Sequence, residues 1–430
     1  DLDGKADIFS YSSAGVPQVL RNTATAGIIN SSTLAANLAI SGVIPASPTS
    51  RNVLSADLNN DGKIDFANSN DVTTNGGFAN INSSTSGTPS LQNYNSLLSS
   101  ASKYKVNAAF LPIDINLDGR TDIFGLNGTN SSQALIYYTK NTTAGTTFSS
   151  ITGNAINTDS YNQKLNSANY FSGVSGDLNG DGKPDVVLSG TGRVSVLKNT
   201  TTQGNPEVKT FSFTESVTKG INAGIGYTVK LADLDLDGKL DVITTNSTSG
   251  FVSVFRNDSA NMNMSIMDAQ HFALTGLTAT YGLALADMNG DGKPDVVVSD
   301  NVSQIAYLEN TSVSGTISFA PSVTLVSSGA YPQIELADID GDNKPDIIAA
   351  NATNGIVLFR NRVAEAGKIS ADQTICYNTT PAPLTSLTPA VFSTAGTISY
   401  KWQKSTSPTT GWTDIASTNT LGYTIPSALT

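Results

Sequence analysis

One cysteine and one histidine in 430 residues leave most side-chain catalysis without its usual groups. Cys376 has no partner in the sequence, so no internal disulfide can form, and no cysteine–histidine pair can be placed around it. His271 lies in "AQHFALTG", a strand-like stretch with no positioned nucleophile beside it, and reads as a strand-surface residue rather than a general base. Charged residues make up only 14% of the chain, and no apolar run approaches the roughly 18 residues of a membrane helix, so no membrane insertion is expected within this segment. No phosphate-cradling G-x-x-x-x-G-K-[ST] or dinucleotide fingerprint follows a strand. Nucleic acid is not an expected partner either, because no basic face with interleaved aromatics is visible and seven of the 24 basic residues sit inside acidic clusters.

Acid, by contrast, is concentrated. In "DMNGDGKPDVVVSD" (287–300), Asp287, Asn289, Asp291 and Asp295 occupy the first, third, fifth and ninth places of a tight loop, with Gly292 at the sixth, where the backbone must bend. That is an oxygen spacing suited to Ca²⁺, a hard cation that takes six to eight oxygens from carboxylates, amide side chains, main-chain carbonyls and water. The seventh residue, Lys293, is expected to offer its carbonyl and to direct its ammonium to solvent. At the twelfth place, where a helix-flanked calcium loop carries a bidentate glutamate, stands Val298, so this loop joins strands.

The phrase recurs along the chain. Its expected ligands are Asp57, Asn59, Asp61, Lys63 and Asp65; Asp114, Asn116, Asp118, Arg120 and Asp122; Asp177, Asn179, Asp181, Lys183 and Asp185; Asp233, Asp235, Asp237, Lys239 and Asp241; Asp287, Asn289, Asp291, Lys293 and Asp295; and Asp338, Asp340, Asp342, Lys344 and Asp346. The chain opens on a stump of the same loop, with Asp1, Asp3, Lys5 and Asp7. Successive complete loops begin 57, 63, 56, 54 and 51 residues apart, too irregular for a solenoid and suited to a blade of four short strands. A strand precedes each complete loop, as in "YTVKLAD", where Val229 and Leu231 share a face, as do Leu283 and Leu285, and Ile334 and Leu336. After each loop come an apolar strand and a third strand ending in asparagine, at Asn22, Asn82, Asn141, Asn199, Asn257, Asn310 and Asn361. The net charge of −11 is mostly the loops' own, since 23 of the 35 acidic residues lie in them.

A D-x-[DN]-x-D-G-x-x-D loop followed by a hydrophobic strand, repeated seven times at this spacing over residues 1 to about 363, resembles the FG-GAP/VCBS repeat family, which includes the propeller of integrin α subunits. The resemblance implies an all-β fold with a seven-bladed β-propeller over 1–363 and about one Ca²⁺ per blade. Asn343 replaces the sixth-place glycine of the last loop, and the first loop lacks its first ligand. Residues 364–430 carry no such loop; "YKWQ" (400–403), with Trp402, resembles a strand of an immunoglobulin-like module, expected here as a partial C-terminal β-sandwich.

Two functional classes follow. The first is a non-enzymatic, calcium-stabilised recognition or adhesion module for a glycan or protein ligand, carried with further domains of the same polypeptide by a large secreted or cell-surface protein. The second is a polysaccharide-active lyase or hydrolase built on a calcium-bearing propeller. The first is favoured, because the acids outside the loops form no recognisable catalytic pair. The asparagine- and threonine-rich style fits a Bacteroidetes-type bacterium. Ligand contact is expected at the end opposite the calcium loops, in the long connection 152–170 with Tyr161 and Tyr170. Lys230 and Glu335, three places ahead of their loops, are expected to line a central channel.

Overall fold

A computed structural model describes residues 3–11, 17–24, 38–39, 53–69, 77–85, 90–95, 109–127, 134–139, 164–165, 169–202, 213–302, 304–326, 329–351 and 355–361, with short pieces at 368–369, 382–383, 386–388, 402–405, 407, 410–411 and 413–415. The chain divides into two compact units, Asp1–Phe359 and Arg360–Thr430. All regular structure among the described residues is β.

In the first unit each repeat folds as an antiparallel meander. The fifth is representative: Val229–Ala232, Asp241–Thr244, Phe251–Phe255 and Gln270–Ala273 pair in sequence order, and the acidic loop bridges the first two strands with Ala232 opposite Asp241. The second repeat (Val53–Ala56 to Leu91–Asn95), the third (Ala109–Ile113 to Lys164–Leu165) and the sixth (Gly282–Ala286 to Val323–Val326) are built alike. In the fourth, the single long strand Asp185–Asn199 pairs through its first part with Tyr170–Gly176 and through its second with Phe213–Ile225, bending at Gly192 (φ +69°), so it fills two strand places.

These five sheets are complete blades, and the expectation of seven is corrected accordingly. Among the described residues the first repeat has three strands, Ile8–Tyr11, Pro17–Leu20 and Leu38–Ala39, and the seventh also has three, Gln333–Ala337, Asp346–Asn351 and Gly355–Phe359. After Phe359 the chain passes into its second unit.

The immunoglobulin-like expectation is corrected as well. In the second unit the described residues form two short ladders, Lys368–Ile369 with Ser386–Thr388 and Gln403–Lys404 with Thr413–Asp414. Both strands of the second ladder are exposed and Trp402 is only half-buried, so no apolar face is available there for a sandwich. Cys376 lies outside the described residues.

Blades of the first unit cohere by sharing apolar side chains with their neighbours. Leu234, Ile243, Val252 and Val254 of the fifth pack with Leu283, Val296, Val298, Ala306 and Leu308 of the sixth. Val229 joins residues of the fourth repeat, and Ile334 joins those of the sixth. Each such fully buried Val, Leu or Ile side chain contributes about 1.5–3 kcal/mol, so the stabilisation is spread between blades rather than gathered in one core. The first repeat meets the second through stacked Phe9 and Phe66, 3.9 Å between ring centres.

Candidate metal centre

Each acidic loop is shaped by its own carboxylates accepting backbone N–H groups. In the second, Asp57 takes those of Asp61 (3.1 Å) and Gly62 (2.8 Å), Asn59 Oδ1 takes that of Asp61 (3.2 Å), and Asp61 Oδ1 takes that of Lys63 (3.0 Å). Gly62 has φ +82°, the left-handed geometry that glycine adopts without cost, and Asn343 fills the same place at φ +64°. The pattern recurs around Asp114, Asn116, Asp118 and Arg120, around Asp177, Asn179, Asp181 and Lys183, and around Asp287, Asn289, Asp291 and Lys293. Asp233, Asp235, Asp237 and Lys239 repeat it, and Asp342 and Asn343 both donate to Asp338 while Lys344 donates to Asp342. In the first loop Asp3 accepts the Lys5 N–H, while Asp1 lies outside the described residues.

The ninth-place aspartates do something the spacing did not reveal. Asp65 is buried and receives the N–H of Leu58 on one oxygen (2.8 Å) and that of Asn82 on the other (2.7 Å). It therefore ties the start of the loop to the end of the third strand. Asp185, Asp241 and Asp295 make the same two bonds, to Leu178 and Asn199, Leu234 and Asn257, and Met288 and Asn310. Asp122 and Asp346 hold their loops at Ile115 and Ile339, and Asp7 binds the Asn22 N–H. Burial pushes the Asp65, Asp185 and Asp241 carboxyls up to about 6 against these bonds, and it raises Asp295 as well.

Three of the seventh-place lysines differ from expectation. Lys5, Lys63 and Lys183 do not reach into solvent; their ammonium groups donate to the carbonyls of Ala24 (2.6 Å), Ser84 (3.0 Å) and Thr201 (2.7 Å). Each of those carbonyls lies two residues past the asparagine that ends the third strand, where the chain turns. That asparagine also joins repeats: Asn257 Nδ2 donates to Leu178 O of the preceding loop (2.8 Å) and Leu240 O of its own (2.9 Å). Asn199, Asn310 and Asn22 reach back likewise, to Ile115, Leu234 and Ile339. The asparagines were visible as strand ends, but a contact between successive repeats leaves no local pattern.

The donor sets suit a hard cation. Carboxylate oxygens of Asp233, Asp235 and Asp237 lie within 4.8 Å of one another, and so do those of Asp338, Asp340 and Asp346. Two ligands of one Ca²⁺ at about 2.3–2.6 Å stand at most about 5 Å apart, so either triad could share an ion.

Away from the loops, Lys230 and Glu335 meet at 3.4 Å, joining the inner strands of the non-adjacent fifth and seventh repeats. His271 is exposed on an outer strand, against Phe251 and 3.0 Å from Ser253 Oγ. Tyr170 is not available to a ligand: it is fully buried, its hydroxyl 2.8 Å from Ser195 Oγ. Tyr161, and residues 151–163 with it, lie outside the described residues.

The FG-GAP-like repeat family matches residues 114–188, 177–244, 233–298 and 287–349, together more than half of the chain. A second family, described only as a domain of unknown function, matches 365–430. Human integrin alpha-6 is 25% identical over 162 residues, which is 34% of this chain and 14% of that protein. Rat integrin alpha-7 is 26% identical over 163 residues, 33% of this chain and 14% of that one. The chain thus spans about a seventh of the length of the curated relatives it matches. Among solved structures, a lectin of Agrocybe aegerita that recognises non-reducing terminal N-acetylglucosamine superposes with a TM-score of 0.51 at 20% identity, covering 81% of this chain and 85% of that one. At that identity the likeness speaks for the fold.

Proposed function

The chain belongs to the FG-GAP-like repeat family, and from that premise we propose that it is a non-enzymatic, calcium-stabilised recognition module of a secreted or cell-surface protein. The convergence of three carboxylates within 4.8 Å in the fifth and seventh loops carries the calcium reading, since it brings to one point the several oxygens that a hard divalent cation takes. In each complete loop the first, third, fifth and ninth side chains and the seventh carbonyl would hold the ion. When bound, Ca²⁺ supplies the counter-charge that fixes the turn between the two innermost strands. The ninth-place aspartate carries that rigidity to the third strand, and the asparagine carries it to the loop of the preceding repeat.

Recognition, not turnover, fits the chemistry present. No histidine, cysteine or paired carboxylate outside the loops is set up for acid–base or nucleophilic work among the described residues. The integrin relatives and the lectin neighbour support a ligand that is a protein or a glycan, taken from outside the cell. The strand order places the links between the second and third strands at the end opposite the acidic loops, which is where a ligand is to be sought. Glycan-array binding of the intact chain, with calcium and with chelator, tests this reading. Calcium-dependent capture of a glycan class supports a lectin; capture of none, with calcium raising the melting temperature, moves the search to protein ligands; and a melting temperature indifferent to calcium overturns the calcium reading.

A further inference from the structure

The loops are not equivalent, and their difference follows a pattern between two positions far apart in sequence. The third place is aspartate in the first, fifth and seventh loops (Asp1, Asp235, Asp340) and asparagine in the other four (Asn59, Asn116, Asn179, Asn289). The residue just ahead of the strand-ending asparagine varies in step. It is arginine in the first set (Arg21, Arg256, Arg360) and never arginine in the second (Ile81, Lys140, Lys198, Glu309).

The fifth repeat shows the physical reason. Arg256 Nε lies 2.7 Å from Asp235 Oδ2 and its Nη2 lies 2.6 Å from Asp237 Oδ2, with the Asp235 side chain fully buried and that of Asp237 partly so. Asp235 Oδ2 also accepts the N–H of Gly315 from the next repeat at 2.9 Å. A guanidinium fork held by two carboxylates is a strong, geometrically fixed pair, and it takes up oxygens that a metal would use. In the first repeat Arg21 reaches Asp3 at 3.3 Å. The sixth repeat is the opposite case: Asn289 Nδ2 donates to Glu309 Oε1 at 3.3 Å, so a carboxylate stands where the fifth has a cation. In the fourth, Lys198 approaches Asp181 at 3.4 Å but also donates to Met262 O at 3.0 Å, a point contact rather than a fork. Formal charge alone does not separate the sets, because a fourth aspartate and an arginine cancel.

We propose that the loops form two classes of divalent-cation site: an arginine-held class, represented by the fifth loop, which keeps its carboxylates together without metal and takes a cation weakly, and an asparagine class, represented by the sixth, which depends on the cation and takes it tightly. The inference rests on the calcium reading above. Calorimetric titration of the metal-stripped full chain with calcium chloride tests it, together with melting in chelator. The wild type is expected to show two affinity classes. Arg256→Gln moves one site from the weak class to the tight one, at least about tenfold, and lowers the melting temperature in chelator; Arg256→Lys, which keeps the charge and loses the fork, falls between. Calcium uptake in one uniform class, or R256Q behaving as wild type, overturns the two-class inference alone. If the wild type takes up no calcium, the calcium reading falls and this one with it. Should R256Q fail to fold, the number of classes in the wild type decides.

Discussion

Asn257 illustrates how much one buried amide holds at the residue scale. Its side chain donates to two carbonyls in two different loops, its own N–H binds Asp241, and its Oδ1 receives the N–H of Ser259 at 2.9 Å, with no exposure to solvent. Asn257→Ala takes the donor from the buried Leu178 carbonyl and from the part-buried Leu240 carbonyl; at about 1–3 kcal/mol for a buried orphaned group, and less where solvent has access, a loss of about 2–4 kcal/mol is expected in urea unfolding. A loss under about 1 kcal/mol would show that the carbonyls find other donors. The ninth-place aspartates give a pH signature. Their carboxyls, raised to about 6 at Asp65, Asp185 and Asp241, make the metal-stripped fold bind more protons than the unfolded chain. Destabilisation from this source is present in full above about pH 6 and is relieved as pH falls toward 4. In chelator the melting temperature should therefore rise between pH 7 and 5. With calcium it should fall over the same range, as protons displace the ion. Parallel curves in the two conditions would contradict calcium binding at these groups.

At the scale of the element, the loops were legible because their chemistry is local. Nine consecutive residues hold the acids, the sixth-place turn and the start of the next strand, and the apolar alternation of Leu283 and Leu285 marks the strand before them. What stayed hidden depends on partners elsewhere: the lysine at place seven folds back on a turn about 20 residues on, and Tyr170, which reads as an exposed ring, is buried under its own sheet. The count of blades was also out of reach, since seven loops do not guarantee seven fourth strands. A strain at the fourth place was missed too. Leu117 and Leu236 sit there at φ +58° and +56°, where Gly180, Gly290 and Gly341 stand in other loops. A left-handed leucine costs about 1–2 kcal/mol, partly offset by the greater freedom of glycine in the unfolded chain. The Leu236 side chain is 53% exposed and gives up little packing. Leu236→Gly is expected to stabilise the chain by about 0.5–1 kcal/mol in urea unfolding, and a loss of stability would mean that the side chain contributes contacts beyond those of an exposed residue.

For the first unit as a whole, the question is what joins its two ends, because among the described residues the first and seventh repeats show three strands each. The Lys230–Glu335 pair is a poor candidate: it links the fifth and seventh repeats, and exposed pairs of this kind are worth about 0–1 kcal/mol. Asn22 is better placed. Its side chain, fully buried, donates to Ile339 O at 2.7 Å, which is the same backward reach that Asn257 makes to Leu178, but here it spans 317 residues and joins the first repeat to the last. Its N–H also binds Asp7 and its Oδ1 receives the Ala24 N–H, so one amide ties three segments. Elsewhere such a bond joins repeats that the chain already connects; at Asn22 it stands in for that connection. Asn22→Ala should therefore act differently from Asn257→Ala even where the two cost similar energy. Amide hydrogen exchange in N22A is expected to accelerate in the first and seventh repeats together, with the third to fifth left as in wild type, whereas N257A accelerates exchange around the fourth and fifth. Faster exchange in the first repeat with no change around Ile339 would mean that the two ends are held by something other than this bond.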